Sequence, residues 1–174
     1  RIAIQGEILG GAALGVCNVL CLTGDGVQAG DHPQAKPVFD LDSTSLLGIA
    51  RGLREEHRFE SGRKITFAPR VLLGAAENPN VSPVEHRAVR LAKKIAAGAQ
   101  FVQTQYCYDI PLLRRFMTAV ADAGLLEQVF ILIGVGPLRT AKAGEWMRTH
   151  VPGVHIPDSV IERISRAARS RRSP

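Results

Sequence analysis

Four short runs of apolar residues recur along the chain, separated by stretches in which apolar residues follow a helical spacing. The runs lie at residues 18–23, 71–75, 101–105 and 129–133. Continuous apolar runs of this length are typical of strands buried on both faces, as in a parallel sheet. The last three begin about 30 residues apart, which is the repeat expected of strand–helix units. The pattern therefore predicts an α/β fold with about four parallel strands.

The stretches between these runs carry the start and stop signals of helices. Ser82 and Ser159 each stand three residues before a Glu, as in a capping box. Asp109 can cap another helix, while Gly98 and Gly124 fit positions where helices stop. The predicted helices cover residues 2–14, 43–58, 82–97, 109–123 and 140–148, and a last helix begins at 159.

The number of strands limits the architecture. A closed (β/α)8 barrel needs eight parallel strands and typically about 250 residues. The pattern alone leaves two architectures open, a small open α/β sheet and the middle part of such a barrel. Because no linker divides the chain, we predict a single domain over residues 1–174.

Charge and composition limit the classes of partner. The 22 Lys and Arg residues and the 16 Asp and Glu residues give a net charge of +6, with much of the excess near the C-terminus. We interpret residues 165–174 as a basic, disordered tail rather than a nucleic-acid arm. Aromatic residues make up only 5% of the chain, which argues against a stacking platform for nucleic acid.

Cysteine usage and hydropathy exclude further classes. The three cysteines form no Cys-x-x-Cys pair, so we expect neither a disulfide scaffold nor a structural metal site. This usage fits a cytoplasmic protein. We interpret Cys107, near a predicted strand end, as a buried thiol rather than a reactive one. The chain has no run of 18 apolar residues, so we expect no membrane-spanning helix.

The candidate chemistry lies just after the predicted strands, because parallel α/β folds place their sites at the carboxyl ends of strands. Asp25 could bind a ligand or stabilise a cation there, but it could equally form a turn between glycines. Gln105 could pair with the edge of a heterocycle, or its amide could bond neighbouring backbone groups.

Three basic residues, Arg87, Arg90 and Lys94, lie on one face of the helix that follows the second predicted strand. Such a ridge could hold a diphosphate, because guanidinium and ammonium groups bind phosphate oxygens strongly. A solvated helix face is the more common explanation of such a pattern.

Six segments of the chain form a combination that is specific to one family. They are NVLCLTGD at 18–25, GDHP at 30–33, AKPVFDLD at 35–42, LGAAENP at 73–79, LAKKIAAGA at 91–99 and QTQY at 103–106. Together they resemble the methylenetetrahydrofolate reductase family, over residues 1 to about 164. Members of that family are (β/α)8 TIM barrels that bind FAD. The resemblance therefore implies a partial barrel that contains strands four to seven.

The resemblance also implies roles for individual residues. Asp25 matches a residue that contacts both flavin and folate, and Gln105 matches one that touches the pterin, so both are expected to be catalytic. Asp40, Gly74 and Asn78 stand at flavin-contacting positions but differ in type from the family pattern. The expected FAD contacts are Thr23, Gly24, Asp25, Asp40, Gly74, Asn78, Arg90, Lys93 and Lys94.

The activity implied by the resemblance is the flavin-dependent reduction of 5,10-methylenetetrahydrofolate to 5-methyltetrahydrofolate, in the one-carbon metabolism that supplies methionine. The electron donor would be NAD(P)H or a partner flavoprotein. The protein would be a homo-oligomer or a subunit of a complex, with no nucleic-acid or membrane partner. The family's general acid, a Glu on the first barrel strand, would lie outside this chain, so the isolated chain is expected to be inactive.

Two other functions stay open. The absence of the family's general-acid Glu and the changed residues at expected folate contacts are compatible with a non-catalytic subunit that binds folate or assembles a one-carbon pathway complex. The strand pattern alone is also compatible with a separate open α/β domain that has another role.

Overall fold

The structure is a computed structural model that describes residues 1–170, apart from the side chain of Ala29. Strands alternate with helices until two helices follow the last strand. In chain order the elements are α1 (Ile2–Ala13), β1 (Asn18–Cys21), α2 (Ser43–Arg51), β2 (Leu72–Glu77), α3 (Val84–Ala96), β3 (Phe101–Tyr106), α4 (Ile110–Asp122), β4 (Phe130–Gly134), α5 (Ala141–His150) and α6 (Asp158–Ser170). A short 3-10 helix at Val27–Ala29 follows β1, and a π-helical turn at Gly52–Glu56 extends α2.

The four strands form one parallel sheet in the order β1-β2-β3-β4. In the β1–β2 pair, Asn18 lies opposite Leu72 and Cys21 lies opposite Ala75. Neighbours in sequence are thus neighbours in the sheet, as in a segment of a (β/α)8 barrel. A doubly wound sheet would instead reverse its strand order at a switch point. The predicted α/β class with four parallel strands is confirmed, and the order is consistent with a partial TIM barrel.

The chain divides into two compact units. The first unit contains Arg1–Ala76 and Ala92–Val102, and the second contains Glu77–Leu91 and the chain from Gln103 onward. A single domain over residues 1–174 stays a prediction.

In the first unit, α2 determines where α3 ends. The Arg51 guanidinium donates to the carbonyl of Ala96 at 2.7 Å and so satisfies a carbonyl in the last turn of α3. Gly98 follows with a φ of +119°, a conformation that favours glycine, and a Cβ there would lie 3.1 Å from the Arg51 side chain. Gly98 therefore ends the helix, as the sequence predicted. The fully buried apolar residues of this unit are Cys21, Leu47, Ala50, Leu53, Leu73, Ala75 and Val102.

The starts of β2 and β3 are joined by a polar network in the same unit. The Gln100 backbone N–H donates to Leu73 O at 2.7 Å, and the Gln100 side-chain oxygen accepts from Leu73 N–H at 3.2 Å. Arg54 donates to that same side-chain oxygen and to Val71 O. These bonds satisfy backbone groups at the amino ends of β2 and β3.

In the second unit, a hydrophobic cluster packs the last two helices together. Val154, Ile156 and Ile161 are buried, and Met147 is among the residues packed against them. Ile161 lies on α6, and α6 continues to Ser170. Residues 165–170, part of the tail that the sequence predicted to be disordered, continue this helix. Residues 171–174 of the predicted tail lie outside the described residues.

The predicted helix starts were correct to within two residues. Asp109 caps α4 by accepting a hydrogen bond from Leu112 N–H at 2.9 Å, as expected. The two capping boxes were wrong in detail, because α3 starts two residues after Ser82 and α6 starts one residue before Ser159. In α6 the carbonyl of Pro157 already accepts hydrogen bonds from the first turn, so Ser159 lies inside the helix.

Burial of β4 is lower than its apolar run predicted. Phe130 is 75% exposed and Leu132 is 48% exposed. The two side chains point to the same face, because residues two apart in a strand share a face. Since β4 is the last strand in the sheet order, it has a strand neighbour on one side only. The prediction of burial on both faces was therefore wrong for β4.

None of the helices within residues 1–170 combines the length and the apolar character needed to cross a bilayer.

A close backbone approach at Gly134 gives a test of how β3 and β4 pack. A Cβ on Gly134 would lie 2.7 Å from Thr104 O and 2.9 Å from Gln105 O, and these backbone atoms cannot move without disturbing β3. We expect Gly134→Ala to lower the free energy of unfolding by about 1–3 kcal/mol, measured by urea denaturation. The control is Gly10→Ala, on an open face of α1, which should be neutral or stabilising by up to about 1 kcal/mol. Equal effects of both variants would contradict the packing described here.

Candidate functional site

Three small or polar residues follow β1 and are exposed, Thr23, Gly24 and Asp25. Thr23 Oγ1 accepts a hydrogen bond from the backbone N–H of Ser43 at 3.0 Å. This bond fixes the start of the loop to the first residue of α2. The residues after β1 are therefore anchored at one point and open to solvent beyond it.

Asp25 has an available carboxylate, since among residues 1–170 it makes no hydrogen bond or ion pair. The neighbouring Gly24 faces open space, because a Cβ there would have no atom within 4 Å. A turn-forming Asp accepts hydrogen bonds from nearby backbone N–H groups. Asp25 accepts none from the described residues, so the geometry favours a ligand-binding role over a turn.

Asp40 is occupied by an ion pair. Both its carboxylate oxygens accept from the Arg1 guanidinium, at 2.7 and 2.9 Å. Hydrogen bonds from Arg1 lower the pKa of Asp40 to about 2. Glu60 accepts from the same guanidinium at 2.9 Å. Asp40 is thus an anion with a satisfied partner, and it has less capacity than Asp25 to bind a ligand.

Gly74, in β2, is covered by an aromatic ring. A Cβ on Gly74 would overlap the ring of Phe101, which occupies the space a side chain would need. The absence of a side chain at position 74 is therefore explained by packing within the sheet. Only the backbone of Gly74 is left to contact a ligand.

The basic residues of α3 are in different environments. Lys94 is only 6% exposed, and its Nζ donates to Ala76 O at 2.6 Å. Lys93 and Arg90 are exposed, and Arg87 is half-buried. The predicted ridge of Arg87, Arg90 and Lys94 is therefore not a uniform solvated face, because Lys94 is turned toward the end of β2.

In the second unit, Glu77 and Arg87 form a largely buried ion pair, with an N–O distance of 3.7 Å. Glu77 Oε1 also accepts from the backbone N–H of Asn78 at 3.1 Å. The Nε of Arg87 is buried and has no hydrogen-bond partner in the described part of the chain. A buried N–H without a partner costs free energy, so it is a candidate donor to a bound anion.

Gln105 lies at the end of β3, and its side chain folds back on the main chain. Its Oε1 accepts from the backbone N–H of Tyr106 at 3.0 Å. The sequence had left this backbone contact open as the simpler interpretation, and the contact is present. With the oxygen engaged, the Nε2 group is the part of Gln105 that can donate to a ligand.

Asn78 and Asn80 converge on one carbonyl. Asn78 Nδ2 donates to Gly153 O at 3.0 Å, and Asn80 Nδ2 donates to the same oxygen at 3.2 Å. Asn80 N–H in turn donates to Asn78 Oδ1 at 3.0 Å. Asn80 Nδ2 also reaches Tyr106 O at 3.0 Å. The Asn78 side chain, an expected flavin contact, therefore holds the loop before α6.

The buried thiols are poor nucleophiles in this environment. Burial raises the pKa of Cys21 to about 11, and burial also raises the pKa of Cys107. The Cys107 thiol donates to Gln105 O at 3.1 Å. The interpretation of Cys107 as a buried thiol is confirmed.

The two units hold different parts of the expected site. The first unit contains Thr23, Gly24, Asp25, Asp40, Gly74, Lys93 and Lys94. The second unit contains Asn78, Arg90 and Gln105. Sequence reasoning assigned no role to Glu77 or Asn80. A carboxylate at the end of an apolar run was a signal for Glu77, whereas nothing local distinguished Asn80.

No curated protein matches the chain. The family model described as methylenetetrahydrofolate reductase matches residues 1–172. The fold of that family is a (β/α)8 barrel, and four parallel strands in sequential order are consistent with a part of it. Because the match spans nearly the whole chain, this chain belongs to the methylenetetrahydrofolate reductase family.

Proposed function

We propose that the chain serves the FAD-dependent reduction of 5,10-methylenetetrahydrofolate to 5-methyltetrahydrofolate. Family membership supports a reductase of this type. The observation that carries the specific proposal is the exposed carboxylate of Asp25, at the carboxyl end of β1, which the described residues leave without a partner. Parallel α/β enzymes place reacting groups at this end of their strands.

Several side chains fit a flavin nucleotide. Arg90 and Lys93 are exposed cations on α3, suited to diphosphate oxygens. The buried Nε of Arg87 is a donor still to be satisfied. Gly24 leaves open space beside Asp25, where a ring system can approach the backbone. Bound in reduced form, FAD would supply the hydride that converts the methylene group to a methyl group.

Asp25 would stabilise positive charge on the folate. Opening of the imidazolidine ring places a cation on the nitrogen next to the methylene carbon. A carboxylate about 4 Å away interacts with such a cation by about 4 kcal/mol near a protein surface. The carboxylate has no partner among residues 1–170, so no ion pair with these residues has to be broken when the substrate binds.

Gln105 would orient the pterin through its Nε2 group. Tyr106 N–H occupies one lone pair of the side-chain oxygen, and the described residues leave the Nε2 donors open. An acceptor atom on the pterin ring is therefore its natural partner. Placing the ring correctly contributes to the rate because the reacting atoms must be aligned.

A second candidate is a non-catalytic subunit that binds folate or assembles a one-carbon complex. Three expected flavin contacts favour this candidate, because each of them is already engaged in a contact within the chain. Asp40 is held by Arg1, Gly74 is covered by Phe101, and Asn78 bonds to Gly153 O; these are internal contacts. Folate binding without flavin binding would support this candidate over the reductase.

The proposed function also includes an electron donor, an assembly state and a cellular compartment. The electron donor is NAD(P)H or a partner flavoprotein, and the working protein is a homo-oligomer or a complex subunit in the cytoplasm. The product enters methionine synthesis.

We expect the full-length protein that carries this sequence to purify with bound flavin or to take up added FAD. The measurement is the visible absorbance of the protein after gel filtration in the presence of FAD. A protein that stays colourless would contradict the reductase proposal. If that protein still binds folate, the non-catalytic candidate is correct.

We expect Lys93→Gln to weaken FAD binding about tenfold, because an exposed charge-assisted contact to phosphate is lost. The measurement is a titration of the apoprotein with FAD, followed by flavin fluorescence. Lys142→Gln, an exposed lysine on α5, is the matched control and should bind FAD as the unmodified protein does. Equal affinity of the two variants would remove Lys93 from the phosphate site.

We expect Asp25→Asn to slow folate reduction about 100-fold, because the amide cannot neutralise the developing cation. Stability should change little, since Asp25 holds no other described residue. The measurement is turnover of 5,10-methylenetetrahydrofolate at saturating electron donor. Asp122→Asn, on the exposed end of α4, is the control. Turnover of Asp25→Asn at the control rate would exclude Asp25 from the mechanism.

A further inference from the structure

The end of β3 is held by an unusually complete set of hydrogen bonds. Gln105 O accepts from Thr104 Oγ1 at 2.9 Å and from the Cys107 thiol at 3.1 Å. Tyr106 N–H donates to Gln105 Oε1 at 3.0 Å. Cys107 N–H donates to Gly134 O at 3.0 Å. These bonds satisfy three of the four polar groups in the peptide bonds on either side of Tyr106. The fourth group, Tyr106 O, accepts a hydrogen bond from Asn80 Nδ2.

The Asn80 contact differs from the others because it comes from the loop that follows β2. Its Nδ2 lies 3.0 Å from Tyr106 O and 3.2 Å from Gly153 O. One amide group therefore bridges the end of β3 and the loop that precedes α6. The remaining bonds are made by residues of β3 and its immediate continuation, or by Gly134 of β4.

The bridge lies next to the group that is expected to meet the substrate. Tyr106 O and the N–H that holds the Gln105 side chain belong to the same residue. Rotation of the Tyr106 backbone would therefore move the Gln105 amide as well. Thr104 fixes the other side, because its Oγ1 accepts from Gly134 N–H at 2.8 Å. Asn80 thus restrains the carbonyl of Tyr106, while Thr104 restrains the carbonyl of Gln105.

We propose that Asn80 is a positioning residue for folate reduction, acting through Tyr106 O to fix the orientation of the Gln105 amide. The inference rests on the proposed function, because it concerns the same reaction. Asn80 touches neither folate nor flavin in this role. Its loss should therefore affect the folate step more than flavin binding or electron entry.

The first test measures the exchange of backbone amide hydrogens and does not require enzyme activity. Hydrogen–deuterium exchange is measured on the full-length protein and its Asn80→Ala and Asn80→Asp variants. We expect the peptide covering residues 103–108 to exchange about tenfold faster in both variants, because a hydrogen bond that restrains it is lost. Unchanged exchange in this peptide would overturn the proposal, whatever the activity of the variants.

The second test separates positioning from general stability. Flavin on each protein is reduced with dithionite and then mixed with either 5,10-methylenetetrahydrofolate or ferricyanide. We expect reoxidation by folate to be about tenfold slower in the Asn80 variants, with reoxidation by ferricyanide and flavin content unchanged. A merely structural role would lower flavin content or slow both acceptors equally, and that result would overturn the proposal.

The matched control is Gln128→Glu. The Gln128 side-chain amide also donates to a backbone carbonyl, Gly124 O at 2.8 Å, in the exposed loop between α4 and β4. It should leave both reoxidation rates and the exchange of residues 103–108 unchanged. A protein that holds no flavin would overturn the proposed function and the inference with it. A flavin-loaded protein with unaltered Asn80 variants would overturn the inference alone.

Discussion

Hydrogen bonding at the ends of parallel strands is the constraint on which the rest of this structure depends. Where a strand ends, its backbone groups lose their partners in the sheet and need others. At the amino ends of β2 and β3 the solution is internal, because Arg54 and Gln100 satisfy the backbone around Val71 and Leu73. At the carboxyl ends, some polar groups have hydrogen-bond partners within the chain, and others remain available to a ligand.

Polar residues that have hydrogen-bond partners within the chain can be distinguished from polar residues that are available to bind a ligand. Asp40 and Lys94 are polar residues already bound to partners within the first unit. Asp25 has no described partner, and Arg90 and Lys93 are exposed. A ligand gains most from groups that need no rearrangement before binding, since breaking an internal hydrogen bond offsets the new contact. Asp25 is therefore better suited than Asp40 to bind a ligand.

Much of the fold was predictable because it depends on local patterns. Apolar runs located all four strands to within a few residues, and Asp109 and Gly98 marked helix ends through their side-chain and backbone chemistry. The exposure of Phe130 was not predictable from the run that contains it, because burial depends on the neighbours of the strand in the sheet. The roles of Asn80 and Glu77 depend on partners far along the sequence, such as Gly153, or on burial that spacing does not reveal.

The contact between Gly74 and Phe101 couples the residue types that are allowed at these two positions on neighbouring strands. Because the aromatic ring fills the place of a side chain on Gly74, neither residue can vary freely while the other stays. A larger residue at position 74 requires a smaller one at 101, and loss of the ring leaves a cavity that a side chain at 74 could fill. Among proteins with this sheet, the two positions should therefore covary, with the summed side-chain volume kept nearly constant.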